Sequence, residues 1–258
     1  THIVGGGAVY GGIYRTTNNG SSWTHVLDVG NITISDLWFV DDLQGYAVGE
    51  YGDNYRTSDG GVTWQPLPPM GGSPTVFFND ALHGWTKYWR TTDGGDNWTQ
   101  MFGTPQSGVS IFFTDNDTGY VVASTGQTEK STDGGVTWSS VIPVSPVPSA
   151  GHHHQGCDVV VDIFGWVRVI WANCTTNGQN STEDSLGFAK STNGGVNWVI
   201  STNSANNMNG IRSASLINSI RANGFPRIDV DRSGGSRNGW IYVVTAEKTV
   251  APATDVSD

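Results

Sequence analysis

The chain has 258 residues, among them 35 glycines, 11 tryptophans and 10 prolines, and only 14% are charged. That composition favours many short strands joined by tight turns, and the length, generous for one domain, is one that β-architectures reach undivided. A formal charge of −10 argues against nucleic acid or an anionic membrane as partner, since either repels such a surface.

No window approaches the roughly 18 unbroken apolar residues of a membrane span, so no direct membrane insertion is expected. Thr1 is not followed by a signal-peptide pattern, so the sequence reads as a mature protein or a piece of one. The charge is uneven. Residues 1–150 hold 5 Lys/Arg against 14 Asp/Glu and residues 151–258 hold 8 against 9, so an anionic ligand is expected in the second half if anywhere.

In chain order, the first element is the strand HIVGGG (2–7), followed by the frame RTTNNGSSW (15–23). Residues 37–61, LWFVDDLQGYAVGEYGDNYRTSDGG, read as strand A, a turn rich in Asp and Gly, strand B, a short link and strand C. Strand C runs into a second frame, RTSDGGVTW (56–64), and strand D begins at its Trp. The third stretch, VFFNDALHGWTKYWRTTDGG (76–95), ends in RTTDGGDNW (90–98). It has only six residues from Gly84 to Arg90, where the second has eleven from Gly45 to Arg56, so a degenerate blade without two full inner strands is expected. SIFFTDNDTGYVVASTGQTEKSTDGG (110–135) restores the full pattern and ends in KSTDGGVTW (130–138). The hairpin CDVVVDIFGWVRVIWANC (157–174) and the frame KSTNGGVNW (190–198) make a fifth unit, and PRIDVD (226–231) with GWIYVVTA (239–246) supply strands A and B of a sixth.

Five copies of one frame cannot be five active sites. Asn18, Asp59, Asp93, Asp133 and Asn193 can accept hydrogen bonds from the backbone of their own turn, a task that Asp and Asn share. Gly20, Gly61, Gly95, Gly135 and Gly195 can supply positive φ, and Trp23, Trp64, Trp98, Trp138 and Trp198 can bury a large ring between neighbouring sheets. The tryptophans lie 41, 34, 40 and 60 residues apart, the size of a four-stranded propeller blade with variable loops. The expected fold is therefore all-β: a single β-propeller domain over 1–258, of four-stranded antiparallel blades near 1–30, 31–70, 71–104, 105–145, 146–202 and 203–258. About six blades are expected, within a range of five to seven. Because both ends carry a strand B, the ring is expected to continue beyond both ends of the sequence.

The frame Ser/Thr-X-Asp-X-Gly-X-X-Trp resembles the Asp-box, or BNR repeat, of the sialidase-like β-propeller superfamily, over nearly the whole chain. That superfamily includes sialidases, xyloglucan-degrading hydrolases, sorting receptors and photosystem assembly factors, so the resemblance implies a fold and not an activity. From Gln155 onward, QGCDVVVD, GFAKSTNGGVNW, NGIRSASLI and GFPRIDVDRSGGSRNGWIYVV are similar to secreted, sialidase-like repeat proteins of environmental bacteria, especially Bacteroidota. This second resemblance implies export, to the medium or the cell surface.

In a propeller the A–B and C–D turns share one face, and the long connections 139–156, 172–186 and 201–225 fall on the other. Loops of that length are usually functional or disordered. His152, His154, Gln155, Asp184, Arg212 and Arg221 are the ligand-binding candidates there, with side chains suited to sugar hydroxyls or a partner protein. His152, His153 and His154, with Asp158 or Glu183, invite a metal reading. Their spacing matches no established zinc signature, so no metal site and no cofactor is expected, calcium being the one ion that loop carboxylates could admit.

Catalysis is weighed against this. A sialidase site needs an arginine cluster, a Tyr nucleophile with a Glu partner, and an acid. Arg15, Arg56, Arg90, Lys130 and Lys190 share one repeated strand position and read as scaffold, leaving Arg168, Arg212, Arg221, Arg227, Arg232 and Arg237. No Arg-Ile-Pro motif precedes the first frame, and Tyr242 lies in an apolar strand with no Glu placed to activate it. A glycosidase with paired carboxylates would draw on Glu183 or Asp184 and on Asp229 or Asp231. The preferred expectation is a secreted, non-catalytic module that recognises a glycan or an extracellular protein. The alternatives are a glycosidase and a structural subunit of a larger extracellular assembly.

Cys157 and Cys174 flank the fifth hairpin and are either a cross-strand disulfide or two buried thiols; simple register puts Cys157 nearer Trp171 than Cys174. Asn-X-Ser/Thr triplets stand at Asn19, Asn31, Asn97, Asn116, Asn173 and Asn180, of which Asn19 and Asn97 fall inside tight turns.

Overall fold

The computed structural model describes residues 2–6, 11–30, 34–49, 51–68, 70–71, 73, 75–101, 108–123, 126–145, 151–175, 183–206 and 225–245. Its strands are β1 (His2–Gly6), β2 (Gly11–Arg15), β3 (Thr24–Gly30), β4 (Ile34–Phe39), β5 (Gly45–Gly49), β6 (Asn54–Thr57) and β7 (Gln65–Pro66). There follow β8 (Val76–Phe78), β9 (Gly84–Thr86), β10 (Trp89–Thr91), β11 (Thr99–Gln100), β12 (Gly108–Phe113), β13 (Thr118–Ala123), β14 (Gln127–Thr132) and β15 (Ile142–Pro143). The last are β16 (His152–Val161), β17 (Val167–Thr175), β18 (Glu183–Ser191), β19 (Val199–Asn206), β20 (Arg227–Val230) and β21 (Ile241–Val244).

Each strand pairs with its neighbours in sequence, so every sheet is a simple meander. Four sheets have four strands, β4 to β7, β8 to β11, β12 to β15 and β16 to β19; β1-β2-β3 and β20-β21 are smaller. These are the blades of an all-β propeller. Among the described residues no helix is long and apolar enough to cross a membrane.

The chain divides into two compact units. One comprises Thr1–Thr104, Phe113–Gly119 and Ser131–Trp138, and the other Pro105–Phe112, Tyr120–Lys130 and Ser139–Asp258. In the first, the inner strand β5 is buried along its whole length, GYAVG, because sheets cover both of its faces. Aromatic rings join sheet to sheet: Tyr46 of β5 stacks on Phe78 of β8 with centroids 3.6 Å apart, and Trp85 of β9 stacks on Phe113 at 3.8 Å. Each of these phenylalanines lies over a glycine of its own sheet. A Cβ on Gly119 would sit 2.5 Å from the Phe113 ring, so only glycine leaves room there. The third sheet has three-residue inner strands, β9 and β10, as the short spacing led us to expect, yet it remains four-stranded.

The second unit centres on the longest sheet, whose strands β16 to β19 run for 10, 9, 9 and 8 residues. Its main core gathers Val122, Val144, Val159, Val161, Val169 and Trp171. A second cluster, with Val160, Ile170 and Leu186, takes in Ile228 and Val230 of β20. Asp158 ties these elements together. It accepts from Ser110 Oγ at 2.6 Å and from the Ile228 amide at 3.1 Å, while burial pushes its carboxyl up from the usual range against those bonds. Cys157 and Cys174 are buried thiols and not a disulfide. A bulge at 156–157 sets His153 opposite Cys174 and leaves Cys157 facing the stretch near Trp171. Burial raises the Cys157 thiol to about 12.

Candidate functional site

The five frames fold into one repeated corner. In each, the amide of the second glycine donates to the hydroxyl that opens the turn: Gly20 to Thr16 at 3.0 Å, Gly61 to Thr57 at 2.9 Å, Gly95 to Thr91 at 2.9 Å, Gly135 to Ser131 at 2.8 Å and Gly195 to Ser191 at 2.9 Å. That hydroxyl donates to Oδ1 of Asn18, Asp59, Asp93, Asp133 or Asn193. The same Oδ1 accepts the amide of Ser22, Thr63, Asn97, Thr137 or Asn197, at 2.9 Å in all five. This shared Oδ1 can belong to Asn or Asp, while the second polar atom adapts: Oδ2 of Asp59, Asp93 and Asp133 accepts from the Thr63, Asn97 and Thr137 side chains, and Asn18 Nδ2 donates to Ser22 Oγ. The expectation for the tryptophans needs one correction. Trp64, Trp98 and Trp138 lie edge-on against Phe39, Phe78 and Phe113 of their own sheets, and Trp64, Trp98 and Trp198 also pack on the preceding sheet, against Ile13 and Val29, Tyr46 and Val48, and Tyr120 and Val122, but Trp23 is 40% exposed.

The repeated cations are scaffold. Arg15, Arg56, Arg90 and Lys130 donate to the carbonyls of Gly60, Gly94, Gly134 and Gly194, each in the corner of the following sheet. In the first unit, Tyr46 Oη and Trp85 Nε1 converge on the same Gly94 and Gly134 carbonyls, both at 2.9 Å.

The ligand-binding candidates need a larger correction. Residues 152–156, 183–186 and 201–206 were expected in connections, and 172–174 in both a hairpin and a connection, but all are strand. His152 to Gln155 pair with Thr175 to Ala172, and Asn173 pairs with Ser185, so the fifth sheet carries its ladder beyond the usual end of a blade. HHHQG and ANCT lack the β-branched alternation that marks a strand, and what holds them is pairing with a partner far away in sequence.

Alternation puts His152 and His154 on one face and Gln155 on the other, in register with Ala172 and Leu186. His152 Nε2 stands 3.9 Å from Asp184 Oδ2, both side chains 41% exposed. His154 is buried behind them. Its Nδ1 shares a 2.9 Å hydrogen bond with Ser145 Oγ, its ring lies 5.6 Å from that of Trp171, and burial, helped by His153, lowers its pKa. Trp171 Nε1 donates to Asn173 Oδ1 at 3.0 Å, and Asn173 Nδ2 donates to Ser185 Oγ at 2.8 Å. This Trp171–Asn173–Ser185 chain was missed. Its only trace in the sequence is the alternation of Trp and Asn, and Asn173, read as a glycosylation triplet, is engaged inside the sheet. Arg212 and Arg221 lie outside the described residues.

Among the described residues no three His, Cys, Asp or Glu side chains gather to hold a metal ion. Glu183 is fully buried opposite Cys174. The remaining arginines are engaged separately: Arg168 with buried Asp162 at 2.6 Å, Arg232 with Asp229 at 3.2 Å and Arg237 over the Trp240 ring. Tyr242 is 41% exposed on β21. Asp231 is not a strand residue facing a pocket, since it caps the turn by accepting the Ser233 amide. The arrangement offers an imidazole and a carboxylate at the surface, backed by an ordered amide and indole, which is suited to hydrogen-bonding hydroxyls or a peptide.

No family model matches the chain, and no curated protein does. Solved structures do. YCF48 from Cyanidioschyzon merolae superposes with a TM-score of 0.52 at 20% identity, over 72% of this chain and 61% of that protein. An ancestral GH74 enzyme gives 0.59 at 16%, over 89% of this chain and 34% of its own. The α-L-arabinofuranosidase Arb93A from Fusarium graminearum, solved with an iminosugar inhibitor, gives 0.52 at 12%, over 93% and 80%. The chain thus spans less than two thirds of the first two. At these identities the likeness establishes the β-propeller fold.

Proposed function

We propose that the chain is an extracellular Asp-box propeller, one domain over 1–258, that recognises a glycan or a protein at the extended end of its fifth sheet without turning it over. The observation that carries this reading is the extension itself: a ladder prolonged past the blade's usual end, with the exposed His152–Asp184 pair in front of the His154–Ser145 and Trp171–Asn173–Ser185 bonds. Side chains held by strands keep their geometry on binding, which limits the entropy lost. Arg212 and Arg221 are proposed to contribute to binding through their charge. A glycan array and a panel of chromogenic glycosides test it together. Retained binding without release of chromophore, weakened about tenfold by His152→Ala or Asp184→Ala, supports it. Absence of binding to glycans and to secreted proteins alike overturns it.

A second reading keeps a glycosidase in view. Glu183 is a fully buried carboxyl next in sequence to the exposed Asp184, and a glycosidase draws on two carboxyls. Hydrolysis lost in Glu183→Gln and retained in Asp184→Asn would favour that reading instead.

A further inference from the structure

We infer that Asn193 is a site of self-modification, where the side chain closes to a succinimide with the Gly194 amide and loses its own amide group. Asn-Gly pairs occur at Asn19, Asn177, Asn193, Asn209, Asn223 and Asn238, of which Asn19, Asn193 and Asn238 lie among the described residues and are exposed. The step needs the glycine nitrogen as nucleophile and the asparagine Cγ as electrophile. In two of these pairs the nitrogen is committed: Gly20 donates to Thr16 Oγ at 3.0 Å and Gly239 to the Asp231 carbonyl at 2.8 Å. The Gly194 amide meets no acceptor among the described residues. The fold supplies the reason. In the second, third and fourth sheets the corner leans on the turn between the first two strands of its own sheet, with Gly60 donating to Leu43 at 2.8 Å, Gly94 to Leu82 at 2.9 Å and Gly134 to Asp117 at 2.8 Å. In the fifth sheet that turn closes on itself, Gly165 donating to the Asp162 carbonyl at 2.9 Å while Asp162 Oδ1 takes the Phe164 and Trp166 amides. A Cβ on Gly60, Gly94 or Gly134 would meet a carbonyl of the turn within 2.9 Å, whereas one on Gly194 would meet only the Lys130 ammonium and the Tyr120 hydroxyl. Both pieces of that contrast, 162–166 and 191–198, lie among the described residues.

The electrophile is prepared as well. Asn193 Oδ1 accepts from Ser191 Oγ at 3.0 Å and from the Asn197 amide at 2.9 Å, two donors placed where negative charge gathers when a nucleophile attacks Cγ. The Lys130 ammonium, on the Gly194 carbonyl at 3.2 Å, favours loss of the proton from the nearby amide. The Gly194 nitrogen gives that proton to solvent and bonds to Cγ; the Cγ–Nδ2 bond breaks, and Nδ2 takes a proton from solvent and leaves as ammonia. Water then opens the ring by breaking one of its two carbonyl–nitrogen bonds, and the nitrogen regains its proton. Opening at Cγ leaves aspartate, which keeps the Oδ1 contacts that Asp59, Asp93 and Asp133 make in the other sheets and adds one negative charge. Opening at the main-chain carbonyl instead inserts Cβ into the backbone and breaks the corner.

Peptide mapping by mass spectrometry of the full chain, held folded in mildly alkaline buffer, tests the inference, with circular dichroism to confirm the fold. Asn193 should lose its amide about tenfold faster than Asn19 or Asn238, the factor that one engaged hydrogen bond on the nucleophile can impose. In urea the three should react at comparable rates, which shows that the difference comes from the fold. Asp59→Asn sharpens the comparison. It puts an asparagine into a corner with the same two kinds of donor, Thr57 Oγ and the Thr63 amide, and with Arg15 on the Gly60 carbonyl, but with the Gly60 amide held by Leu43. The asparagine so introduced should lag Asn193 about tenfold as well. The inference is overturned if it keeps pace with Asn193, if Asn19 or Asn238 reacts first in the folded chain, or if Asn193 reacts in urea and stays intact in the folded chain.

Discussion

The repeated corners and the far end of the fifth sheet both display Asp, Asn, Ser and Thr, but they assemble them in opposite ways. A corner draws its hydroxyl, Oδ1 and amide partners from nine consecutive residues, and all five copies give the same bonds although the acid alternates with its amide. The fifth sheet brings Ser145, His154, Trp171, Asn173 and Ser185 from separate segments. Chemistry closed within a turn can be copied from blade to blade, whereas chemistry that needs several strands occurs once and can differ from everything around it. That is the reason to look for recognition in the second place.

Trp171→Ala should break the contrast at its strongest point. The ring is fully buried, lies against Gly187 where no Cβ would fit, and anchors Asn173. Its removal should cost about 4 kcal/mol and, by freeing Asn173, weaken any ligand of the extended end beyond detection. Urea unfolding checks the first part and binding to the folded fraction the second.

Within a corner the effect should be smaller and selective. Thr57→Val leaves the Gly61 amide, itself buried, without an acceptor and should cost about 1–3 kcal/mol. Asp59→Asn keeps the shared Oδ1 acceptor and gives up only the charged Oδ2 that takes the Thr63 hydroxyl, so it should lower the midpoint less than Thr57→Val does and lose even that difference from the wild type in acid. Urea midpoints of the two variants decide whether the hydroxyl or the charge matters.

The same contrast explains what was legible in the sequence. The corners could be read because their bonds are local and spaced alike, and the sheets followed from them, including the short inner strands between Gly84 and Arg90. The candidate site was legible only as places: His152 and Asp184 do meet, at 3.9 Å, but Gln155 faces away. The strand character of HHHQG could not be read, since it comes from pairing with ANCT some twenty positions on. The stacking of Tyr46 on Phe78 was equally hidden, because neither residue carries a local mark of its partner.

Acid should separate the corners from one another. Asp59 and Asp93 are held at about 2 by hydrogen bonds from Thr63 and Asn97, and Asp133 is lowered by Thr137. A depressed carboxyl lends stability that is present above its unfolded value, about 3.9, and lost as pH falls towards the folded value. Asn193 does not titrate. Hydrogen exchange followed by NMR should therefore show the Thr63, Asn97 and Thr137 amides losing protection between about pH 4 and 2, while Asn197 keeps its own. Asp158 carries the opposite sign. Its carboxyl is raised, so its contribution is full in acid and lost as pH rises, and Asp158→Asn should flatten that part of the stability curve.

The smallest expected effect lies in the cations that join one sheet to the next. Lys130→Met loses the bond to the Gly194 carbonyl and the ammonium's place over the Tyr120 ring, so it should cost about 0.5–1.5 kcal/mol. Lys190→Met, at the matching position of the fifth sheet, gives up, among the described residues, only its place over the Trp166 ring. Its thermal midpoint should fall less than that of Lys130→Met. A midpoint lowered as far as in Lys130→Met would mean that Lys190 holds an acceptor comparable to the Gly194 carbonyl, and the two cations would then do the same work.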